Sequence, residues 1–238
     1  MAKVSDVWTV LPHGGLEKLA ENLWHCWGSV PGMSLKRAMT MTRMKDGRVI
    51  IHNAISLDEE SMKELEAWGT PTFLVVPNGM HRLDAAAWKK RYPSIKVVAP
   101  KGSRKKVEEC VPVDLVYEEF EGDDSVGLQL LDGVKDSEGA MTVRSNDGTT
   151  VVLNDAVFNM DMPTDFMGKL ICTAFGSAPG PRVSRLGKLL LVNDKKALKE
   201  NLARFANLPD LVRLIVSHDK VAKGADAKAT LEQAMTYL

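Results

Sequence analysis

Between residues 56 and 110, short apolar strands alternate with amphipathic helices, and this order limits the folds that the chain can adopt. Residues 72–76 and 95–99 are short continuous apolar runs, typical of strands that are buried on both faces of a sheet. Apolar residues recur at helical spacing ahead of the first strand, at Met62, Leu65 and Trp68. The resulting order of helix, strand, loop, helix, strand and helix predicts an α/β layered protein.

A β-hairpin is predicted immediately before this region. Residues 39–44 alternate with period two, residues 48–53 are rich in β-formers, and Asp46-Gly47 lies between them, where glycine accepts the positive φ of a tight turn. The sequence Ser56-Leu57-Asp58-Glu59 resembles a capping box and predicts the start of the first helix. Further strands are predicted over 125–131, 139–144, 150–154 and 212–216, and further helices over 84–92, 194–207 and 227–238.

Two segments lack a regular pattern. Residues 1–34 carry three tryptophans between Gly/Pro breaks and are predicted to form an irregular lead-in, whose aromatic content is consistent with a homodimer. Residues 161–192 surround a Gly/Pro-rich core and are interpreted as a lid over a site or as an interface. Without internal repeats or a clear linker, residues 1–238 are predicted to form a single domain.

Charge and cysteine content restrict the partners and the compartment. Lys and Arg total 31, as do Asp and Glu, so the formal net charge is zero and any binding of a polyanion has to be local. We therefore expect neither a nucleic acid nor a membrane partner. The residues from Met1 to Asp6 lack the apolar segment of a secretory signal, and three widely spaced cysteines do not suggest disulfides, which together predict a cytoplasmic protein.

Polar side chains follow three of the predicted buried strands. Strand ends hold side chains rigidly at a crevice, so these positions are the first candidates for a functional site. They are Asn78, His81 and Arg82 after residues 73–76, Asp155 after residues 151–153, and His218 after residues 212–216. A polar loop over residues 132–138 adds Lys135 and Glu138 as weaker candidates.

Two of these strand ends resemble motifs of a known family. The sequence Val151–Phe158 is similar to a meander strand that ends in the metal-bridging Asp of a Gly-Asp-x-Leu-Phe-like element, with Asn154 in place of the glycine. Ile215–His218 resembles the element that carries the family's last metal-binding His. In this order, over roughly residues 39–238, the chain resembles the metallo-β-lactamase family. The resemblance implies a four-layer αββα sandwich with metal ligands on loops at one edge of two sheets.

The first metal-binding motif of the family, His-x-His-x-Asp-His, is not retained. Aligned with that motif, Asn78 and Met80 fall on the first two His positions, Arg82 falls on the Asp, and Leu83 falls on the last His. His81 falls on a spacer position. These departures place the chain in a divergent, uncharacterised branch of metallo-hydrolase-like proteins.

The lost ligands predict a degenerate protein, a pseudoenzyme without a complete dinuclear metal site and without a cofactor. Lys135 is the nearest equivalent of the His in the family's Pro-Gly-His-Thr-like turn. An anionic cluster that loses its metal needs replacement positive charge, so Asp155 is predicted to pair with Arg82 or Lys135. In this interpretation Asn78, Arg82 and Lys135 bind a small acidic ligand or only stabilise the fold.

The alternative is a metal-dependent hydrolase of a small ester or thioester. Its altered ligand set would comprise His81, Glu138, Asp155 and His218, binding zinc or another divalent transition metal. His81, Asp155 and His218 are then also the candidate catalytic residues. The number of ligands that converge decides between the two hypotheses.

Overall fold

The first of two mixed β-sheets is built from the N-terminal half of the chain. The computed structural model describes residues 4–218 and 220–238. The strands of the first sheet are β1 (Glu17–Ala20), β2 (Leu23–Val30), β3 (Met33–Arg43), β4 (Arg48–His52), β5 (Thr70–Val75), β6 (Lys96–Ala99) and β7 (Leu115–Val116). They lie in the order of the chain, antiparallel from β1 to β4 and parallel from β4 to β7.

The second sheet comes from the C-terminal half. Its strands are β8 (Val126–Leu130), β9 (Gly139–Ser145), β10 (Gly148–Val152), β11 (Leu211–Ile215) and β12 (Val221–Lys223). Their spatial order is β12-β11-β10-β9-β8, and β10 and β11 are the parallel pair. The parallel strands β4 and β5 in one sheet and β10 and β11 in the other end in loops that meet at one edge of the molecule, as described below for the site.

Helices cover the outer faces of both sheets. In chain order the α-helices are α1 (Glu59–Trp68), α2 (Ala85–Arg91), α3 (Arg104–Val107), α4 (Phe166–Phe175), α5 (Arg185–Leu190), α6 (Lys195–Ala206) and α7 (Ala225–Met235). Met62 and Leu65 of α1 and Trp88 of α2 pack on the first sheet, while Leu198, Leu202 and Leu231 of α6 and α7 pack on the second. Together with the two sheets, these helices form four layers.

A separate apolar core fills the space between the sheets. Ile50, Phe73 and Val75 from the first sheet pack in one cluster with Met141 and Val152 from the second. Face-to-face sheets bury alternate side chains of each strand in this way. The predicted α/β class and four-layer αββα arrangement are thereby confirmed.

The prediction of an irregular lead-in over residues 1–34 is wrong, because β1, β2 and the start of β3 lie within it. The Pro31-Gly32 dipeptide that suggested a break is the turn between β2 and β3, where Gly32 has φ +72°. Two of the three tryptophans of this segment pack on one face of the first sheet: Trp24 stacks on Trp68 and Trp8 lies against Trp88.

The hairpin of β3 and β4 is confirmed, with Gly47 at φ +88° in its turn. The predicted capping box is wrong in its register. Asp58 is the N-cap of α1 and accepts a hydrogen bond from the Ser61 backbone N–H at 2.8 Å, whereas the Ser56 hydroxyl donates to Asp84. Asp58 has the same short polar side chain and takes the capping position because the chain is still extended at Ser56.

Residues 161–192 contain α4 and α5 on either side of a Gly/Pro-rich loop. Their role as a lid or an interface stays a prediction, as does the single domain. Within residues 4–218 and 220–238, no helix is both long and apolar enough to cross a membrane.

Candidate functional site

Three candidate residues converge at the edge where the parallel strands of both sheets end. His81 lies in the loop after β5, Asp155 follows β10 and His218 follows β11. One ligand atom of each residue lies within 4.8 Å of the others. We call His81, Asp155 and His218 the triad.

The triad is compact and largely shielded from solvent. His81 Nε2 lies 3.0 Å from Asp155 Oδ1, and His218 Nε2 lies 3.6 Å from the same oxygen. The three side chains are 9–13% exposed. Both imidazoles therefore direct Nε2 at one carboxylate oxygen inside a partly dry crevice.

The ring of His81 is oriented by Asn53, at the end of β4. The Asn53 amide nitrogen donates to the Ala38 carbonyl at 2.7 Å, which turns its Oδ1 toward His81 Nδ1 at 3.2 Å. Asn53 is in the left-handed region, with φ +57°, a conformation that asparagine tolerates better than most residues. Because Oδ1 can only accept, His81 Nδ1 donates, and Nε2 is the atom left for Asp155.

The ring of His218 is oriented in the same way as that of His81, by a hydrogen bond from Nδ1, here to a backbone carbonyl. Its Nδ1 lies 2.7 Å from the Lys36 carbonyl oxygen, which can only accept, so Nδ1 donates here as well. The Phe158 ring stacks on the imidazole with an interplanar angle of 7°. These contacts hold the proton of both rings on Nδ1, as the outer partners of metal-binding histidines do.

Asn78 shapes the loop that carries His81. Its Oδ1 accepts the backbone N–H groups of Met80 and His81 at 2.8 and 3.1 Å, the bonding pattern of an asparagine turn. Its amide nitrogen donates to Asp155 Oδ2 at 2.8 Å. One amide side chain thereby sets the position of both His81 and Asp155.

Glu138 has a different role from the metal ligand that the alternative hypothesis assigned to it. Its fully buried carboxylate accepts the backbone N–H groups of Asn154, Asp155 and Ala156 at 2.7–3.2 Å, and the Asn78 amide at 3.2 Å. Both oxygens are thus occupied by the chain itself. Burial, together with the charge of Asp155, raises the pKa of Glu138 to about 8, and the N–H donors oppose that shift.

The electrostatics of the triad favour an ionised Asp155. Burial by itself would raise the pKa of Asp155, but the charges and hydrogen bonds of His81 and His218 outweigh burial and hold that pKa well below its ordinary value. A permanent negative charge between two imidazole nitrogens attracts a cation, whether two protons or a metal ion.

The predicted ion pair of Asp155 with Arg82 or Lys135 is wrong. Arg82 Nη1 donates to the Lys106 carbonyl at 2.5 Å and pairs with Glu109 at 3.0 Å. Lys135 Nζ donates to the Leu190 carbonyl at 3.1 Å. Both cationic side chains are therefore directed to other elements, and their proposed part in ligand binding stays a prediction.

A cavity of about 320 Å³ lies beside the triad. Lys36, whose carbonyl holds His218, is in its wall, together with residues 160–164 that follow Phe158. Its lining is mixed: Leu35, Met160, Met162 and Pro163 are apolar, whereas Ser34, Lys36, Asp161 and Thr164 are polar or charged.

Asn53, Phe158 and the Lys36 carbonyl were missed by the sequence analysis. Asn53 follows a buried strand, so the rule that selected Asp155 and His218 also applies to it. The other two carry no signal in the sequence, because a backbone carbonyl and an apolar ring become part of a site only through packing.

Comparison with known proteins rests on structure alone. No family model matches the sequence, and no curated protein matches it significantly. Solved structures that are similar over most of their length include several metallo-β-lactamases.

Three of these structures define the similarity. A metallo-β-lactamase from Erythrobacter litoralis, with β-mercaptoethanol in its active site, is 17% identical in sequence and has a TM-score of 0.61. The alignment covers 93% of this chain and 96% of that chain. DIM-1, exposed to ceftazidime, is 15% identical with a TM-score of 0.63 and coverages of 96% and 99%. FIM-1 from Pseudomonas aeruginosa, in a mono-zinc form, is 11% identical with a TM-score of 0.62 and coverages of 97% and 96%. This chain therefore has the metallo-β-lactamase fold.

Proposed function

We propose that the triad binds one divalent transition-metal ion and that the protein is a metal-dependent hydrolase of a small ester or thioester. The observation that carries this proposal is the orientation of the two imidazoles. In both His81 and His218, Nδ1 donates a hydrogen bond to an oxygen and Nε2 is directed at Asp155. A metal ion would take the place of the protons that otherwise have to sit between these three groups.

The two distances from Asp155 to the imidazoles are compatible with such an ion. In a tetrahedral zinc site with bonds of about 2.0–2.1 Å, neighbouring ligand atoms lie roughly 3.3 Å apart. The distances from Asp155 Oδ1 to the two Nε2 atoms, 3.0 and 3.6 Å, lie on either side of that value. Two imidazoles and one carboxylate are also the ligands of many iron and manganese sites, so the set selects a class of ion and not one element.

One ion is proposed and not two, because the loop after β5 supplies a single ligand. Met80 is 55% exposed, and Asn78 donates to two carboxylates and accepts two backbone N–H groups. Three protein ligands leave a position open for water or substrate, which is the arrangement of catalytic metal sites.

The residues around the triad have defined tasks in this proposal. A bound ion would lower the pKa of a water molecule toward 7 and polarise a substrate carbonyl. Asn53 and the Lys36 carbonyl keep both imidazoles in the ligand tautomer, while Asn78 and Glu138 hold Asp155 in place. The cavity next to the Lys36 carbonyl that holds His218 offers apolar contacts for the acyl part of an ester or thioester through Leu35, Met160 and Met162.

Metal content tests this proposal directly. Protein purified without chelator is expected to contain about one equivalent of zinc, iron or manganese by mass spectrometry, and His218→Ala and Asp155→Ala are expected to lose it. His13→Ala is the matched control, because His13 also lies near a carboxylate, Asp58, but outside the triad. Metal-loaded protein would then be assayed with small esters and thioesters.

A metal-free protein would contradict this proposal. Metal below about a tenth of an equivalent, unchanged after incubation with those ions, would favour the degenerate binding module that the loss of the His-x-His-x-Asp-His motif suggests. Asn78, Met80 and Leu83 occupy the His positions of that motif. Ligand screening would then turn to small anions that pair with protonated His81 and His218.

Asn53→Gly is expected to weaken metal binding by about 10–100-fold, the usual effect of losing an outer hydrogen-bond partner of a ligand histidine. Glycine accepts the left-handed backbone of residue 53, so only the side-chain contacts to His81 and Ala38 are removed. Zinc affinity is measured by competition with a chelating dye. Asn53→Asp keeps the acceptor for His81 but loses the donor to the Ala38 carbonyl, so its affinity is expected to lie between those of wild type and Asn53→Gly. Equal affinities for wild type and Asn53→Gly would exclude this positioning role.

A further inference from the structure

Helix α4 exposes an apolar surface that the rest of the fold does not use. Gly168 and Cys172 face the protein, whereas Phe166, Met167 and Leu170 are 77, 57 and 53% exposed. A helix that is apolar all round is normally buried. Contiguous apolar side chains left in water mark an interaction surface.

The same part of the chain is strongly cationic, although the chain as a whole is neutral. Residues 166–199 contain seven Lys and Arg residues and a single acidic residue, Asp194, which gives a local charge of +6. Asp194 is the N-cap of α6, where its side chain accepts a hydrogen bond from the Ala197 backbone N–H. Lys169 lies on α4 itself, and the Arg185 side chain lies against Gly176 at the C-terminal end of α4.

These cations are mostly not neutralised by the protein. Within residues 4–218 and 220–238, one of the seven forms an ion pair, Lys196 with Glu200 at 3.9 Å. The next helix, α5, adds exposed apolar side chains to this segment, Leu189 at 75% and Leu190 at 55%.

We propose that α4 and the cationic segment 166–199 dock the protein on an anionic lipid bilayer. Apolar side chains inserted at the headgroup level, beside Lys and Arg residues that contact anionic headgroups, are what holds an interfacial helix. A second copy of this chain fits less well, because a symmetric contact through this surface would bring Lys169 and Arg185 of both copies close together. The proposal is independent of the triad and of its metal.

The docking surface also places the cavity near the membrane. The cavity wall runs through Met162 and Pro163 to Thr164, and Asp165, the next residue, is the N-cap of α4.

Vesicle sedimentation of the full chain tests the docking. We expect it to sediment with phosphatidylcholine vesicles that contain about 30% phosphatidylserine, and not with phosphatidylcholine alone, because the attraction is electrostatic. Raising the salt from about 0.05 to 0.5 M should release it. Phe166→Ser combined with Leu170→Ser should lower the partition coefficient about tenfold or more, and Lys169→Glu should lower it without changing the apolar face.

Val7→Ser is the matched control, since Val7 is 60% exposed and lies outside this segment. Circular dichroism melts verify that the variants are folded. Absence of sedimentation with either vesicle, or equal sedimentation of the wild type and the double variant, would overturn the proposal. A wild-type dimer that the double variant dissociates, without vesicle binding, would assign the surface to a second copy and also overturn it.

Discussion

Asp84→Ala is expected to lower the free energy of unfolding by about 3–5 kcal/mol, the range for removing one partner of a buried ion pair. Asp84 and Arg37 form such a pair, with side chains that are 9 and 6% exposed. Arg37 also donates to the Ser29 and Ala54 carbonyls, at 3.2 and 3.3 Å. Without Asp84, the guanidinium stays buried with only neutral partners, and this uncompensated charge is what destabilises the variant.

This pair matters for the site because of where its members lie. Asp84 is the N-cap residue of α2 and ends the loop that carries His81. Arg37 follows Lys36 on β3, whose carbonyl holds His218. Breaking the pair therefore loosens both sides of the triad.

Urea denaturation measures the effect, and two further variants separate its causes. Asp124→Ala removes an ion pair with Lys45 that lies in solvent, and it is expected to leave the unfolding midpoint unchanged. Arg37→Met combined with Asp84→Leu removes both charges and is expected to recover much of the stability that Asp84→Ala loses. A midpoint for Asp84→Ala equal to that of Asp124→Ala would disprove the argument.

Most of the correct predictions came from the hydrophobic periodicity of the sequence and from the polar residues that follow strand ends. The apolar runs placed β5, β6 and β11, and the polar residues directly after β10 and β11 identified Asp155 and His218. Strand ends are readable from sequence because the direction of a strand and the position of its last residue fix where the next side chain lies.

Loops did not allow the same inference. Alignment with the family motif put Arg82 on a ligand position and His81 on a spacer, whereas the asparagine turn of Asn78 directs His81 inward. Arg82 instead pairs with Glu109, which lies beyond the C-terminal end of α3. Side-chain direction in a loop depends on such hydrogen bonds, which residue spacing does not encode.

Acid is expected to destabilise the protein through His52, on β4. His52 is 2% exposed, and its Nε2 has no hydrogen-bond partner among the described residues. Burial, reinforced by the nearby charge of His81, lowers the pKa of His52 from 6.5 to about 3. Between these two pH values the unfolded chain binds a proton that the folded chain does not, so the free energy of unfolding falls as the pH falls.

The comparison of wild type with His52→Leu isolates this contribution. Between pH 7 and about 4.5, a histidine with this shift contributes roughly 3 kcal/mol of lost stability. His52→Leu cannot bind the proton, so its stability should fall by about that much less over the same interval. At pH 7 the two proteins should differ little, because the imidazole is neutral there and leaves a polar atom unpaired in the core.

Urea melts at several pH values, with chelator present so that a bound metal ion does not stabilise the folded state, measure both curves. Other groups that titrate in this interval, such as the buried His25, whose pKa burial also lowers, act equally in both proteins and cancel in the difference. Parallel curves for wild type and His52→Leu would mean that water or a rearranged partner reaches His52 in acid. A difference that opens below pH 6.5 would show that the imidazole of His52, next to the triad, is kept neutral by its burial in the core.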